Sequence, residues 1–382
     1  MALILVARAA YGLQFQAVPA MQPLLARDLD IAFGELGALI GLYMLPGIVV
    51  ALPAGLLGRR FGDRRVALVG LATMIAGGCL MLTARDLTGL MAGQFVSGVG
   101  AIVMGVLTSK MTADWFAGRD LPLGMGVMLN GFPVGMAMAQ IAWPSLAQSW
   151  GWHAAFGAAI VACALAMLAL GPFYRRHPND RPVAVGAAAP AGLSRFELKA
   201  VSVAGLLWAT YNGCYIVMTG FTAAYLASTG FEPRVAGGIA GAATLVSAGG
   251  VVCGGVLARR IARQDLFVAS TLVGWAAILL LAPIVAPAPL LVLGGFVGGL
   301  PAGVISAMPG QVLRPGTRGP GLGVFYVWLY VGFAVTPPFA GWVADRLARP
   351  EAPLWTGAAL LLLALPMLWW FAVLRRRSAM VA

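Results

Sequence analysis

Two basic side chains lie within long apolar runs of this sequence, where a charge has few polar surroundings. Arg8 falls inside the apolar run at the N-terminus, and Lys110 lies close to the end of the run 88–112. A guanidinium without a carboxylate nearby in sequence favours an anionic ligand, because its planar fork suits a carboxylate or an oxyanion. The alternative is that the long side chain extends along its helix until it reaches polar surroundings. For Arg8 both interpretations stay open, whereas we expect Lys110 to extend.

Polar and aromatic residues repeat at helical spacing in two of the apolar runs. At about 100° per residue, Arg8, Tyr11 and Phe15 share one arc of the first run, with Gln14 just beyond it and Gln16 pointing elsewhere. A second arc, richer in aromatic residues, follows after the middle of the chain. Such arcs predict the wall of a cavity between helices, and ordinary interhelical hydrogen bonding is the alternative. The predicted substrate contacts are Arg8, Tyr11, Gln14, Phe15, Trp208, Tyr211, Asn212, Tyr215, Tyr326 and Tyr330.

These residues must be positioned by helices that cross a lipid bilayer. Hydrophobic residues make up 60% of the chain and charged residues only 10%, with a mean hydropathy of +0.89. A soluble domain has about 25% charged residues. Runs of about 20 apolar residues, enough to cross about 30 Å of hydrocarbon, recur along the whole sequence. We predict twelve membrane-spanning helices, at 2–26, 35–57, 66–84, 88–112, 121–147, 152–174, 199–227, 234–258, 266–286, 288–312, 322–344 and 353–374.

The basic residues predict how these helices are oriented. Lys and Arg concentrate in the short loops of membrane proteins that face the cytoplasm. If both termini are cytoplasmic, most of the 25 Lys and Arg residues lie in cytoplasmic loops, and the inverted topology reverses that ratio. We therefore expect an integral protein of the plasma membrane, which in bacteria is the inner membrane. The same distribution accounts for the net charge of +12, so nucleic-acid binding is not expected.

A short basic segment appears once in each half of the chain. Gly55–Arg65 carries four arginines between two apolar runs, so it predicts a turn in water at one membrane face. Gly255–Asp265 repeats this arrangement, and duplication of a six-helix unit is typical of several transporter folds. The Ala/Gly/Pro-rich stretch between the halves has the composition of a flexible linker. The predicted domains are an N-terminal six-helix bundle at 1–174, a cytoplasmic linker at 175–198 and a C-terminal six-helix bundle at 199–382.

The first basic segment resembles the loop between helices 2 and 3 of the major facilitator superfamily, which reads roughly G-x-L-x-D-R-x-G-R-R. Arg59 stands where that family has an acidic residue that helps to close the cytoplasmic gate, and Asp63 is the expected substitute about one helical turn later. Asn130 and Pro133 resemble the glycine/proline motif of the family's helix 5. The resemblance assigns gating roles to Gly55, Arg59, Arg60, Gly62, Asp63, Arg64, Asn130, Pro133, Arg259 and Arg260.

The resemblance extends over essentially the whole chain. It implies an all-α fold of two pseudo-symmetric bundles that moves its substrate by alternating access. The segments around Phe15, residues 41–47 and Gly151 are most similar to the cyanate/nitrate-related branch. Together with Arg8, this predicts a secondary transporter of a small anion such as cyanate, nitrate, nitrite or a small carboxylate. An exporter of lipophilic or drug-like compounds is the alternative, and a non-transporting membrane scaffold or sensor is a third.

The positions of the acidic residues and histidines limit how such a transporter couples to protons. All of them lie in loops or at the ends of apolar runs, so no relay of carboxylates or imidazoles within the membrane is expected. We therefore expect an exchanger, a uniporter, or coupling through the substrate's own acid–base equilibrium. The sequence contains no nucleotide-binding loop, metal cluster or nucleophile elbow, so we expect no enzymatic activity, cofactor or metal. The expected partners are the bilayer and a small-molecule substrate, and the expected state is a monomer.

Overall fold

The computed structural model describes residues 1–116, 121–174 and 192–381, and most of these residues are helical. Most of the predicted linker therefore lies outside the described residues. The N-terminal group comprises α1 (Ala2–Phe15), α2 (Ala17–Ala20), α3 (Gln22–Leu29), α4 (Phe33–Met44), α5 (Gly47–Phe61), α6 (Asp63–Thr83), α7 (Leu87–Trp115), α8 (Leu121–Trp150) and α9 (Trp152–Phe173). The C-terminal group comprises α10 (Arg195–Ser228), α11 (Pro233–Arg260), α12 (Gln264–Leu281), α13 (Pro287–Gly299), α14 (Ala302–Ala307), α15 (Arg318–Leu347) and α16 (Ala352–Val381).

Eleven stretches of the described chain are long and apolar enough to cross a membrane. They correspond to the predicted spans from 35–57 onward. The first predicted span, 2–26, is instead divided into α1, α2 and α3 by breaks at Gln16 and Met21, and α1 alone is too short to meet the same criterion. Pro19 and Pro23 explain these breaks, because proline has no amide hydrogen to donate and its ring crowds the preceding turn. The count of twelve spans stays a prediction.

The basic turn is shorter than the sequence analysis predicted. Helix α5 continues to Phe61 and α6 begins at Asp63, so Gly62 alone forms the turn. Its φ of +89° lies in the region that glycine adopts without steric cost. The stretch Gly55–Phe61, which we predicted as a turn in water, is therefore helical. Its arginines end α5, where positive charge interacts favourably with the helix dipole.

Two helix pairs form most of the contact between the N-terminal and C-terminal groups. Helix α4 packs along α15, and α8 packs along α11. Glycines permit this close approach: Gly37 and Gly41 face the backbone of Pro337 and Ala334, and Gly237 faces a carbonyl oxygen of α8. A β-carbon at any of the three glycines would overlap with these carbonyl oxygens. Small residues at helix crossings are the usual means of close packing in membranes.

The contacts between the groups are concentrated toward one end of the molecule. We call the end that contains Gly62 and the α11–α12 turn the basic face, and the opposite end, where α4 begins and α15 ends, the far face. The hydrogen bonds that join the two groups within the described residues lie in the half toward the far face. Toward the basic face, Tyr326 of α15 is 47% exposed. We infer from this exposure a cleft between the groups that is closed at the far face and opens toward the basic face.

Candidate functional site

Arg8 lies on the N-terminal wall of the cleft. Its Nη1 donates a hydrogen bond of 3.4 Å to Thr108 Oγ1 of α7. The guanidinium carbon lies 5.4 Å from the ring centre of Tyr11 and 5.9 Å from that of Phe132, within the range of cation–π attraction. Gly105 leaves room beside it, since a β-carbon there would be 3.2 Å from Nη1. Arg8 therefore points into the protein and does not extend to the lipid headgroups.

The surroundings of Arg8 contain no compensating negative charge among the described residues. None of their ion pairs involves Arg8, and the Arg8 Nε has no hydrogen-bond partner there. The groups that interact with it electrostatically include the phenols of Tyr11, Tyr326 and Tyr330. A desolvated guanidinium without a counter-charge is unfavourable. This arrangement favours the binding of an anion in the cleft.

A group of aromatic side chains forms the wall beside Arg8. The ring centre of Tyr11 lies 4.5 Å from that of Phe132 and 6.2 Å from that of Tyr43. Phe15 contacts the same two rings, with its ring centre 5.3 Å from that of Tyr43 and 5.6 Å from that of Phe132. Tyr11, Phe15 and Tyr43 are all buried, so they shape the wall and present little free surface. Phe132 is half-buried, and the part of the wall that it leaves accessible suits an apolar or aromatic body attached to the anionic group.

Helix α15 forms the opposite wall near Arg8. Tyr330 is half-buried, and its ring packs directly on Gly47, where α4 gives way to α5. A β-carbon on Gly47 would overlap with that ring. Tyr326 lies one turn nearer the basic face and is exposed. The cleft thus narrows at Tyr330 and widens at Tyr326.

Helix α10 presents Trp208, Asn212 and Tyr215 on one partly exposed face, as the predicted stripe implies. The Trp208 ring stacks on Phe325 with ring centres 5.9 Å apart, and its Nε1 has no hydrogen-bond partner in the described part of the chain. Asn212 donates to the carbonyl oxygen of Trp208 at 2.9 Å within its own helix. This N–H is buried, with the indole ring packed between α10 and α15.

Two of the predicted substrate contacts lie away from the cleft. Gln14 is fully buried, and its Nε2 donates to the carbonyl oxygen of Met74 at 2.7 Å. Tyr211 is buried inside the C-terminal group, where its hydroxyl donates to the carbonyl oxygen of Gly298 at 2.7 Å. Both polar groups are used in packing within their own group of helices. Helical periodicity in the sequence could not show that these two residues lie away from the cleft, because it does not reveal which neighbouring helix packs against each side of a helix.

The structure gives a role to Gln16, which the sequence analysis set aside. The break after α1 turns this side chain toward the C-terminal group, where Nε2 donates to the carbonyl oxygen of Thr219 at 2.7 Å. Gln140 of α8 donates to the same oxygen at 3.0 Å and accepts a hydrogen bond of 2.7 Å from Thr244 of α11. All four side chains are buried. In the sequence, Gln140 could have been noticed only as a polar side chain within an apolar run.

A small cavity lies behind this network, between α10, α11, α12 and α13. Its volume is about 30 Å³, which is room for about two water molecules. Apolar residues such as Trp275 and Leu279 form one side. The other side is polar and consists of Tyr215, Thr219, Thr222, Thr244 and Ser247.

The far face is closed by a second contact between the groups. Asp345 of α15 accepts hydrogen bonds from the backbone N–H groups of Phe33, at 3.0 Å, and Gly34, at 2.7 Å. These amides begin α4, where helical N–H groups have no partner within the helix. Just outside lies a cavity of about 270 Å³ lined by Gln22 and Ser228 among apolar residues. Gln22 is fully buried, and neither of its amide atoms has a partner among the described residues.

At the basic face, Asp63 and Lys110 form an ion pair within the N-terminal group. Lys110 Nζ lies 2.5 Å from Asp63 Oδ2 and 3.6 Å from a carboxylate oxygen of Asp114. Asp63 is 1% exposed and packs against Gly58. The expectation that Lys110 extends to the headgroups is therefore wrong. The pair ties α5, α6 and α7 together beside the basic turn.

The other predicted gating residues lie at the basic face or within α8. The arginines are exposed, and none of them forms an ion pair within the described residues. Asn130 donates to the carbonyl oxygen of Gly126 at 2.9 Å within α8, and Pro133 follows in the same helix. Their part in gating stays a prediction, as it does for Gly55, Arg59, Arg60, Gly62, Arg64, Arg259 and Arg260.

Residues 3–293 match the family model described as Major Facilitator Superfamily. The chain is 28% identical over 257 residues to Multidrug resistance protein D of Escherichia coli K12, an alignment that covers 67% of this chain and 58% of that protein. It is also 28% identical over 121 residues to Inner membrane transport protein YajR of the same organism, covering 32% of this chain and 26% of that protein. The chain thus spans less than two thirds of the length of these relatives.

Among solved structures, a D-xylose-proton symporter superposes with a TM-score of 0.78 at 12% identity. The superposition covers 97% of this chain and 96% of that one. At this identity the likeness shows a shared fold and nothing about the substrate. The finer resemblance to the cyanate/nitrate-related branch finds no support in these comparisons.

Proposed function

The chain belongs to the Major Facilitator Superfamily, and we propose that it is a secondary transporter whose substrate carries a negative charge bound by Arg8. One observation carries this proposal: an inward-facing guanidinium lies in the cleft and forms no ion pair among the described residues. An anion in the cleft supplies the missing charge and accepts from the terminal nitrogens of the guanidinium.

The candidate anions are those of the sequence analysis, namely cyanate, nitrate, nitrite or a small carboxylate. The aromatic wall formed by Tyr11 and Phe132, with Tyr330 opposite, favours carboxylates that carry an apolar body. A carboxylate also matches the two-pronged geometry of arginine better than a linear anion does.

The proposal extends to the topology. Helices α1, α2 and α3 together form the first span, which gives twelve spans in two six-helix bundles, 1–174 and 199–382. The basic face is cytoplasmic, since Lys and Arg mark that side. Both termini then lie in the cytoplasm of a cell whose plasma membrane holds the protein, and the cleft opens to the cytoplasm. The functional unit is a monomer.

The second candidate is an exporter of lipophilic or drug-like compounds. Two observations favour it: one relative bears the name Multidrug resistance protein D, and aromatic side chains dominate the cleft wall. In that case Arg8 contributes cation–π contacts to the wall and binds no substrate charge. The two candidates therefore differ in what removing the guanidinium does to binding.

Thermal stabilisation of the purified protein separates these candidates. A ligand that binds only the folded state raises its Tm by mass action, so a panel of unrelated ligands can be screened directly. The panel contains nitrate, cyanate, benzoate, a neutral amphiphile and tetraphenylphosphonium, each tested on wild type, Arg8→Gln and Arg8→Lys. We expect an anion to stabilise wild type, to stabilise Arg8→Lys less, and to leave Arg8→Gln unchanged, because lysine keeps the charge without the fork.

The contrary result is equally specific. Stabilisation by the neutral amphiphile or the cation alone, equal in wild type and Arg8→Gln, overturns the anion proposal and supports the exporter. For coupling, we propose exchange, uniport or proton movement carried by the substrate. Proton flux driven by a sulfonate, which does not protonate near neutral pH, contradicts that part of the proposal.

A further inference from the structure

Three buried glutamines of the N-terminal group lie toward the far face, and they differ in their partners. Gln16 and Gln140 each donate a hydrogen bond to the carbonyl oxygen of Thr219 in the other group. Gln22 of α3 is 0% exposed, and neither its Nε2 nor its Oε1 has a hydrogen-bond partner among the described residues. The first two side chains therefore favour contact between the groups, whereas Gln22 buries two polar atoms without compensation.

Both groups of helices contribute to the surroundings of Gln22. Helix α3 packs against α10, and Gln22 lies beside the far-face cavity. Apolar residues of α3 and α4 line one side of this cavity, and apolar residues of α10 line the other. The other polar residue of the lining, Ser228, donates to the carbonyl oxygen of Tyr225 within its own helix. Contact with α10 therefore helps to cover Gln22 and supplies no partner for its amide.

Water that enters the far-face cavity does not reach this amide. Both amide atoms of Gln22 lack accessible surface, so the cavity ends short of them. A buried amide without partners is unfavourable, because its hydrogen bonds to water are lost and not replaced. Opening of the far face would separate α10 from α3 and return water to the amide. The cost of burial then applies to the closed far face alone.

We propose that Gln22 destabilises the closed far face, because burial of its unpaired amide against α10 opposes the hydrogen bonds that hold the two groups together there. A protein that alternates between two conformations needs a small free-energy difference between them. Gln22 keeps that difference small. This inference rests on the proposed function in one respect, since it assumes that the far face opens.

Substitutions that change only the polarity at position 22 test the proposal. Gln22→Met removes the amide and nearly keeps the length of the side chain, whereas Gln22→Glu introduces a group that is costlier to bury. The matched control is Gln94→Met. Gln94 is also buried with an unpaired Oε1 among the described residues, but its Nε2 donates to the carbonyl oxygen of Leu39 in its own group.

Pulsed electron spin resonance on the full purified chain in lipid nanodiscs measures the ratio of open to closed far face. The spin labels are attached to cysteines at Trp150 and Ile284, which are exposed and belong to different groups. Each variant is made in wild type and in Asp345→Ala, because loss of a contact across the far face enlarges the open population and makes a decrease measurable.

We expect Gln22→Met to lower the open-to-closed ratio about tenfold, the effect of relieving one unsatisfied buried polar group. Gln22→Glu should raise the ratio in both backgrounds. Gln94→Met should leave the ratio unchanged, whatever it does to the Tm, because its surroundings do not depend on contact between the groups.

The failures of the two proposals are distinguishable. If Gln22→Met leaves the ratio unchanged or raises it while Asp345→Ala shows the open population, the inference about Gln22 is refuted and alternating access stands. If Gln94→Met lowers the ratio as much as Gln22→Met, the effect is not specific to the far face and the inference is refuted as well. If no variant shows a long separation, the far face does not open, and alternating access fails together with this inference.

Discussion

Removing the carboxylate of Asp345 is expected to open the cleft at the far face. Asp345 reaches from α15 to the first two backbone N–H groups of α4, so its hydrogen bonds exist only while the two groups of helices are in contact at that end. When the groups separate, water satisfies these amides instead. Replacing Asp345 by alanine therefore destabilises the conformation in which the far face is closed, and it has little direct effect on the conformation in which the far face is open.

The expected size of the effect follows from the geometry. A side chain that caps a helix N-terminus is worth about 0.5–2 kcal/mol, and a negative charge at an exposed N-terminus adds about 0.3–1 kcal/mol. Asp345 is exposed, so the lower part of the second range applies. We expect a loss of about 1–2 kcal/mol in Asp345→Ala, which raises the ratio of open to closed far face about 5- to 30-fold. Asp345→Asn keeps one acceptor oxygen, so its open-to-closed ratio should lie between those of wild type and Asp345→Ala.

Distances between spin labels at the far face measure this ratio. Trp150 at the end of α8 and Ile284 after α12 are 78% and 79% exposed and belong to different groups of helices, so cysteines there can be labelled. The exposed Cys79 and Cys253 must first be replaced by serine. Pulsed electron spin resonance then gives the populations of short and long separations in lipid nanodiscs.

Glu35→Gln is the matched control. The Glu35 carboxylate also caps α4, accepting from the N–H of Ala32 at 2.9 Å, but it belongs to the same group of helices. If Asp345 acts across the cleft, only the Asp345 variants gain the long separation. An unchanged distribution in Asp345→Ala, or an equal change in Glu35→Gln, refutes the reasoning, because the cap would then stabilise α4 alone.

Three further substitutions test other contacts. Lys110→Met should lower the free energy of unfolding by about 3 kcal/mol, because it removes the counter-charge nearest to the buried Asp63. Asp114→Asn should have little effect, and equal losses would contradict the pairing. Tyr211→Phe should cost about 1 kcal/mol of stability without changing the Kd of any ligand, and a changed Kd would place its hydroxyl at the substrate. Gln22→Leu should raise the Tm in the absence of ligand, since a buried amide without partners is replaced by an apolar side chain, and a lowered Tm would show that the amide is satisfied.

The sequence predicted the helical scaffold well, because apolar length and basic loops are local properties. The helix boundaries at Gly62 and Gly151 are also local, because each depends only on the positive φ that glycine permits. The division of the first span could also have been predicted, since Pro19 and Pro23 lie within it. It was missed because hydrophobicity alone decided where spans begin and end.

The candidate site was predicted only in part, because its contacts join residues far apart in the chain. Arg8 was recognised from its charge in an apolar run, but its orientation depended on α7 and α8. The pairing of Lys110 with Asp63 spans 47 positions, and that of Gln16 with Thr219 spans 203. Neither follows from helical periodicity, which describes one helix at a time.

Among the described residues, four of the five hydrogen bonds that join the groups toward the far face use the backbone on one side, and the fifth joins the side chains of Thr244 and Gln140. Asp345 binds the amides of Phe33 and Gly34, and both Gln16 and Gln140 bind the carbonyl oxygen of Thr219. Any residue at position 219 supplies that oxygen, and any residue except proline supplies the amide at position 33. These partner positions can therefore vary during evolution without a compensating change across the cleft. Coevolution between pairs of positions would leave these four contacts undetected, and Gln16 and Asp345 would stand out only as separately retained side chains.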